Sequence, residues 1–269
     1  MTWFRADVPP SGGGGTSFDF LANFENENSW FLSDEVIGGT TATFIAAYGF
    51  YRNYSITGVD LSTIEEVKVQ GFYHADRLKS INLPNCTTIG QEAFRDILYA
   101  GNWGQTTPVV INLPKCKTIG NSAFYGFRAG GNNQNYPYLE FHLDALETIG
   151  STTFQTSSRG FLSLYLPKIK TLGDSCFASQ TFNDTLRLGE DCAEMKQNCL
   201  NNVTATNLIV EATTPPSLPG NNGLGTITNI QNIYVPDASV SAYTDSTNYP
   251  KWAQHSAKIH PISNYTPSA

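Results

Sequence analysis

Two segments of this chain are nearly the same: INLPNCTTIGQEAF at residues 81–94 and INLPKCKTIGNSAF at residues 111–124. They share ten of their fourteen letters. Duplication at this density indicates stacked copies of one structural unit, because a unit of this length cannot bury its apolar side alone. The repeat therefore constrains the fold more strongly than any other feature of the sequence.

The repeated unit has five apolar anchor positions, which in the first segment are Ile81, Leu83, Cys86, Ile89 and Phe94. The same frame recurs along the chain, and its copies begin at Ile37, Val59, Ile81, Ile111, Phe141, Leu164, Leu186 and Leu208. Most starts are 22 or 23 residues apart and two spacings are 30, which indicates insertions in two copies. The shorter spacing is typical of leucine-rich repeats, whose units span about 20–29 residues.

Within one copy, the alternating pair Ile81 and Leu83 predicts a short strand. A second extended piece is expected at residues 88–89, and residues 91–96 are expected to form a turn of helix that places Phe94 in the core. Parallel strands of successive copies then stack into ladders. The sequence thus predicts an α/β solenoid, a leucine-rich repeat array of about eight coils with short parallel strands, capped at both ends.

Composition and charge disfavour several classes of partner. The formal net charge is −7 and only 14% of residues are charged, which argues against a nucleic-acid binder or a binder of anionic membranes. The most apolar run, ATFIAAYGF at residues 42–50, is too short to span a bilayer. We therefore expect no nucleic-acid partner and no membrane insertion.

The five cysteines are odd in number and lack CxxC spacing, so neither a full disulfide framework nor a zinc cluster is indicated. Cys86 and Cys116 occupy the anchor that Ile64 fills in another copy, which predicts small buried side chains. A disulfide between these adjacent coils is compatible with their spacing. A bond between Cys192 and Cys199 also stays open.

No catalytic constellation is visible. The sequence contains no HExxH, nucleophile elbow or P-loop. Histidines stand at unrelated positions of the repeat, namely His74, His142, His255 and His260. We expect a protein that is not an enzyme and that has no catalytic residues, no metal site and no cofactor.

Two insertions provide the candidate binding residues. They follow Phe94 and Phe124 at the same point of adjacent coils, so the two loops are expected to lie side by side. Aromatic rings beside amide groups suit stacking on and hydrogen bonding to a sugar or a protein partner, although the rings could instead pack the loops onto the solenoid. The predicted ligand-binding residues are Tyr99, Asn102, Trp103, Tyr125, Arg128, Asn132, Asn133, Tyr136 and Tyr138.

The pattern LP-x-C/I-x-x-IG-x-x-AF, over residues 37–210, resembles the BspA-like leucine-rich repeats of bacterial surface proteins and of phages and protists. Residues 233–243 and 249–263 look like the C-terminal cap that often ends such arrays in gut bacteria. The resemblance implies the repeat fold and specifies no ligand.

Four regions are predicted: a flexible leader at residues 1–15, an N-terminal cap at 16–36, the solenoid at 37–232 and a C-terminal cap at 233–269. The opening MTWFRAD with its following glycine run also resembles the leaders of small structural proteins in phages of gut bacteria.

The resulting hypothesis is a non-catalytic recognition or adhesion module that contacts a host-surface protein or glycan. A phage virion component is favoured, since the N-terminus lacks an apolar stretch of signal-peptide length. Its leader would then bind other virion proteins. The alternatives are a secreted or cell-surface bacterial adhesin and a structural spacer without ligand, so the expected location is a virion or the extracellular surface.

Overall fold

A computed structural model describes residues 35–38, 42–54, 56–78, 80–97, 109–126, 139–155, 160–220 and 222–267. In these residues parallel strands form three sheets, in the orders β1-β3-β5-β7-β9, β14-β12-β10-β8-β6-β4-β2 and β11-β13-β15-β16-β17. The strands are β1 Glu35–Gly38, β2 Phe44–Ile45, β3 Ile56–Asp60, β4 Glu66–Val67, β5 Ser80–Asn82, β6 Thr88–Ile89, β7 Val109–Asn112, β8 Thr118–Ile119, β9 Leu139–His142, β10 Thr148–Ile149, β11 Leu164–Leu166, β12 Thr171–Leu172, β13 Thr185–Leu188, β14 Glu194–Met195, β15 Ala205–Val210, β16 Ile230–Val235 and β17 Ile259–Pro261.

Helix is scarce in the described part of the chain. The helices are α1 Val240–Tyr243 and α2 Pro250–Ala253, with short 3₁₀ turns at Asp237–Ser239, Ser256–Lys258 and Ile262–Asn264. None of the described helices has the length and apolarity that a bilayer crossing requires.

Strand pairing confirms the predicted repeat. The strand residues that pair in the first sheet are Ile37, Val59, Ile81, Ile111 and Phe141. In the third sheet Leu164 pairs with Leu186, which pairs with Leu208. These are the eight predicted starts, and the expected second strand at residues 88–89 is β6. The predicted leucine-rich repeat solenoid of about eight coils is therefore confirmed.

The aromatic anchors form a continuous stack through the core, which we call the inner row. Adjacent rings of the inner row lie 4.9 to 5.4 Å apart between centroids and within 6° of parallel. All of the rings are buried. The inner row consists of Phe50, Phe72, Phe94, Phe124, Phe154 and Phe177.

The prediction of a helical turn at residues 91–96 is wrong. Glu92 and Asp96 have φ values of 54° and 57°, in the left-handed region, and the segment forms a corner of turns. The reason is the hydrogen bonding between coils: the Phe94 N–H donates to the Ala123 carbonyl of the next coil at 2.8 Å. An α-helix would instead direct that N–H back along its own turn.

Close coil contact also explains the glycine of the repeat. A Cβ on Gly120 would lie 2.7 Å from the Gln91 amide nitrogen of the preceding coil. Since that nitrogen is backbone, the two coils would have to move apart to admit any side chain. Glycine at this position therefore holds adjacent coils at the spacing that the inner row requires.

The last strands extend the third sheet into the C-terminal region. Ile233 of β16 pairs with Leu208, and Ile259 of β17 pairs with Ile233, so the predicted boundary at residue 233 falls inside strand β16. Two buried side chains fix the segment: the Tyr243 hydroxyl donates to the Ala212 carbonyl and the Trp252 Nε1 donates to the Pro216 carbonyl, at 2.8 and 2.9 Å. Capping by residues 233–269 stays a prediction. The predicted leader and most of the N-terminal cap lie outside the described residues.

All five cysteines are buried and unpaired. Burial raises the pKa of the Cys86 and Cys116 thiols to about 12. The pair thus packs as the small apolar side chains that the repeat predicts, and no bond joins Cys192 to Cys199.

Candidate binding surface

A second stack runs along the outside of the corner, one residue after the inner row. We call it the outer row; its members are Tyr51, Tyr73, Arg95 and Tyr125. The rings of Tyr51 and Tyr73 lie 5.0 Å apart between centroids at an angle of 7°. The Arg95 guanidinium carbon lies 5.8 Å from the Tyr73 ring centroid and 4.7 Å from that of Tyr125. Because coils repeat with a constant spacing, the corner stacks the outer side chains as it stacks the inner ones.

The ring faces within the outer row contact one another or the guanidinium, which leaves ring edges and phenol hydroxyls for external contacts. Partial burial raises the pKa of Tyr73, although the Arg95 charge opposes that effect. Tyr73 is therefore a neutral phenol at physiological pH, able to donate and to accept a hydrogen bond.

Ion pairs beside the outer row hold the Arg95 guanidinium in place. The Arg95 Nη1 lies 2.7 Å from a Glu92 oxygen and its Nε lies 3.3 Å from an Asp96 oxygen. His74 bridges coils, with Nδ1 3.2 Å from Asp76 and Nε2 3.5 Å from Asp96. Burial raises the pKa of Asp76, which the hydrogen bond from His74 partly offsets. Since these charges are paired within the protein, the surface offers oriented donors and acceptors rather than a strong net charge.

The outer row continues outward at its N-terminal end. Tyr48 is 48% exposed and meets the Tyr51 ring edge-on, with 5.9 Å between centroids. Arg52 lies over the same ring at 5.3 Å. A half-exposed aromatic side chain is thus present next to the row.

Of the nine predicted ligand-binding residues, Tyr125 is the one within the described part of the chain, and it closes the outer row. The other eight lie outside the described residues, and their placement stays a prediction. Both insertions follow this corner in the sequence, after Phe94 in one coil and after Phe124 in the next. The Asp96 N–H donates to the Tyr125 carbonyl at 2.8 Å and joins the two coils at that point.

Sequence reasoning did not single out Tyr51, Tyr73 or Arg95. A signal for them exists in the repeat, since the position after the aromatic anchor is aromatic in three of the first four coils. The same position holds Gln155 and Ala178 in later coils. The aromatic character of the outer row therefore does not follow from the fold itself.

A cluster of similar chemistry lies on the strand face, and we call it the strand cluster. It consists of Tyr165, Arg187 and Glu211 on neighbouring strands or directly after them. The Arg187 guanidinium lies 4.9 Å from the Tyr165 ring, and both side chains donate hydrogen bonds to the Glu211 carboxylate. It is distant in sequence from both insertions, which makes it a natural control for the outer row.

The described residues contain no group of three histidine, cysteine, aspartate or glutamate side chains placed to hold a metal ion.

Comparison with known proteins gave one family. The profile described as "BspA type Leucine rich repeat region" matches residues 32–126 and 105–218, with six copies. A solved structure titled "The Crystal structure of Pneumococcal vaccine antigen PcpA" matches at 9% identity and a TM-score of 0.24, over 86% of this chain and 78% of that one. No curated protein matches the chain.

Proposed function

The chain belongs to the BspA type leucine-rich repeat family, and we propose that it is a non-catalytic surface recognition module that binds a host-surface protein or glycan. One observation carries the proposal. The outer row is aromatic or cationic in the four coils that lead up to and contain the two insertions, and the same repeat position holds Gln155 and Ala178 in the next two coils. Side chains that the fold does not require have been placed where two loops begin.

The outer row has the composition and the rigidity of a binding surface. Tyrosine and arginine are enriched among the residues that dominate binding energy at protein interfaces. Tyr73 and Tyr125 are held on both sides of Arg95, whose guanidinium is fixed by Glu92. Because these side chains are ordered before a ligand arrives, binding loses less conformational entropy than it would on a mobile surface.

The test is binding to host cells and to a glycan array by purified variants. We expect Tyr125→Ala, Trp103→Ala and Tyr136→Ala each to weaken binding by about 2 kcal/mol or more, which is about 30-fold. The matched control is Tyr165→Ala, which removes the same side chain from over an arginine in the strand cluster. Lys168→Ala should also bind normally.

Circular dichroism on the same samples separates a loss of binding from a loss of folding. Normal binding by a triple variant of Tyr125, Trp103 and Tyr136 would overturn the corner as the site and direct attention to the strand face. Equal losses for Tyr125→Ala and Tyr165→Ala would also contradict it, because the strand cluster is not expected to contact the ligand.

The proposed setting is a phage virion that displays the rod toward a host, supported by the resemblance of residues 1–15 to leaders of phage structural proteins. A secreted or cell-surface adhesin is the alternative, and it fits most proteins that this repeat resembles. Genes for tail or capsid proteins beside this gene would support the virion; genes for secretion or surface anchoring would support the adhesin.

A further inference from the structure

A polar cleft lies between the last turns of the array and the C-terminal segment. Its volume is about 590 Å³, which is in the range of small-molecule sites. One wall is formed by Asn198 and Asn201, and a second by the loop at residues 222–228. The third wall consists of Lys251, Gln254, His255 and Lys258. The cleft is separate from the outer row, which belongs to the first four coils.

Two lysines of the third wall are held by backbone carbonyl groups. The Lys258 ammonium donates to the carbonyls of Ile227, Thr228 and Ile230 at 3.0, 3.1 and 2.5 Å, so all three of its N–H groups are used. The Lys251 ammonium donates to the carbonyls of Leu218 and Gly220, both at 2.5 Å. Its third N–H has no acceptor among the described residues and belongs to a side chain that lines the cleft.

The positive charge of these lysines is not cancelled nearby. Carbonyl dipoles orient an ammonium group without neutralising it, and none of the described residues that line the cleft is acidic. Burial lowers the pKa of His255, and the nearby positive charge of Lys258 lowers that pKa further. The two lysines thus give the lining of the cleft a positive charge in a chain whose net charge is −7.

Amide and hydroxyl groups make up most of the remaining lining. Asn198, Asn222 and Gln254 supply amides, and Thr226 and Thr228 supply hydroxyls. Among the described lining residues the one aromatic ring is the imidazole of His255, and none is Phe, Tyr or Trp. The amide and hydroxyl groups of these walls match a ligand that carries many hydroxyl groups.

We propose that this cleft binds an acidic carbohydrate, a sugar ring that carries a carboxylate. The carboxylate accepts the third N–H of Lys251, in a charge-assisted hydrogen bond that is stronger than one between neutral groups. The ring hydroxyls pair with Asn222, Gln254 and Thr226. The protein then carries two sites of different chemistry, a neutral corner near its N-terminal end and a carboxylate site near its C-terminal end.

The experiment is isothermal titration calorimetry of the full chain with digalacturonic acid, with lactose as the neutral disaccharide and glutarate as an acid without hydroxyls. We expect digalacturonic acid to bind at least ten-fold more tightly than either. Gln254→Glu and Thr226→Glu put a carboxylate into the cleft without touching the lysine–carbonyl bonds, and each should weaken digalacturonic acid binding ten-fold or more. Ser241→Glu adds the same charge at an exposed position of α1 outside the lining and should leave binding unchanged.

Each of the other outcomes overturns the proposal. If the unmodified chain shows no measurable binding of digalacturonic acid, the cleft is not a site for acidic carbohydrates. If lactose binds equally well, recognition does not depend on the carboxylate. Binding of glutarate as tight as that of digalacturonic acid would favour a peptide carboxylate over a carbohydrate. If both glutamate variants bind digalacturonic acid as tightly as the unmodified chain, the ligand binds outside this cleft. The outer row is tested independently, because Tyr125→Ala should leave digalacturonic acid binding intact.

Discussion

The inner and outer rows differ by one residue in each coil, yet they obey different rules. The inner row keeps phenylalanine in six successive coils, and its rings stack at 4.9 to 5.4 Å. In the outer row Tyr51 stacks on Tyr73 at a similar 5.0 Å, and Arg95 and Tyr125 follow. The same repeat position holds Gln155 and Ala178 in the next two coils. The backbone repeat thus produces stacking in both rows. Burial restricts the residue type in the inner row and leaves it free in the outer row.

The difference separates what stabilises this solenoid from what gives it a specific surface. A phenylalanine between the two ends of the inner row is covered by rings on both faces and is removed from water, so it contributes to folding. A side chain of the outer row is half-exposed and can vary from coil to coil at little cost. Where it is nevertheless aromatic or cationic in four consecutive coils, contact with a partner is the simplest physical reason.

The largest expected effect on the free energy of unfolding comes from a substitution in the inner row. Phe124→Ala should lower the free energy of unfolding by about 3–5 kcal/mol, because it leaves a cavity between the stacked rings of Phe94 and Phe154 that neighbouring coils cannot fill. Urea denaturation followed by circular dichroism measures the loss. A loss below about 1 kcal/mol would show that the two rows do not differ in burial as described.

The inner row was predictable from the sequence because its chemistry repeats. A phenylalanine at a fixed place in six successive coils, with mostly aliphatic residues at the earlier anchors, is the pattern that burial produces in a sequence. The corner was mispredicted as a helical turn because QEAFRD contains good helix formers, whereas hydrogen bonds to the next coil decide its backbone. Local propensity does not contain that information.

The outer row was only partly predictable. Tyr125 was found through the insertion that follows it, while Tyr73 and Arg95 lie in the half-exposed positions of the repeat and look like ordinary surface residues one coil at a time. The C-terminal cleft was missed entirely. Its lysines are 31 and 28 residues from the carbonyls of Gly220 and Ile230 that hold them, and no sequence motif marks a backbone carbonyl as a partner.

An intermediate effect is expected for the outer row. Tyr73→Ala should lower the free energy of unfolding by about 1 kcal/mol, because the stack on Tyr51 is lost while the site stays open to water. Tyr73→Phe keeps the stack and should cost less, which separates the ring from its hydroxyl. A loss for Tyr73→Ala as large as that for Phe124→Ala would make the outer row part of the core and would weaken its assignment to binding.

The smallest effect is expected at a position that belongs to neither row. Lys117 is exposed, and its contacts to the adjacent coils are made by its backbone: the N–H donates to the Thr87 carbonyl and the carbonyl accepts from the Glu147 N–H, both at 2.9 Å. Lys117→Ala leaves these bonds in place and should change the free energy of unfolding by less than about 0.5 kcal/mol. The urea midpoint should therefore match that of the unmodified chain. A loss comparable to that of Phe124→Ala would mean that side chains outside both rows also hold the coils together, and stability could then no longer be assigned to the inner row.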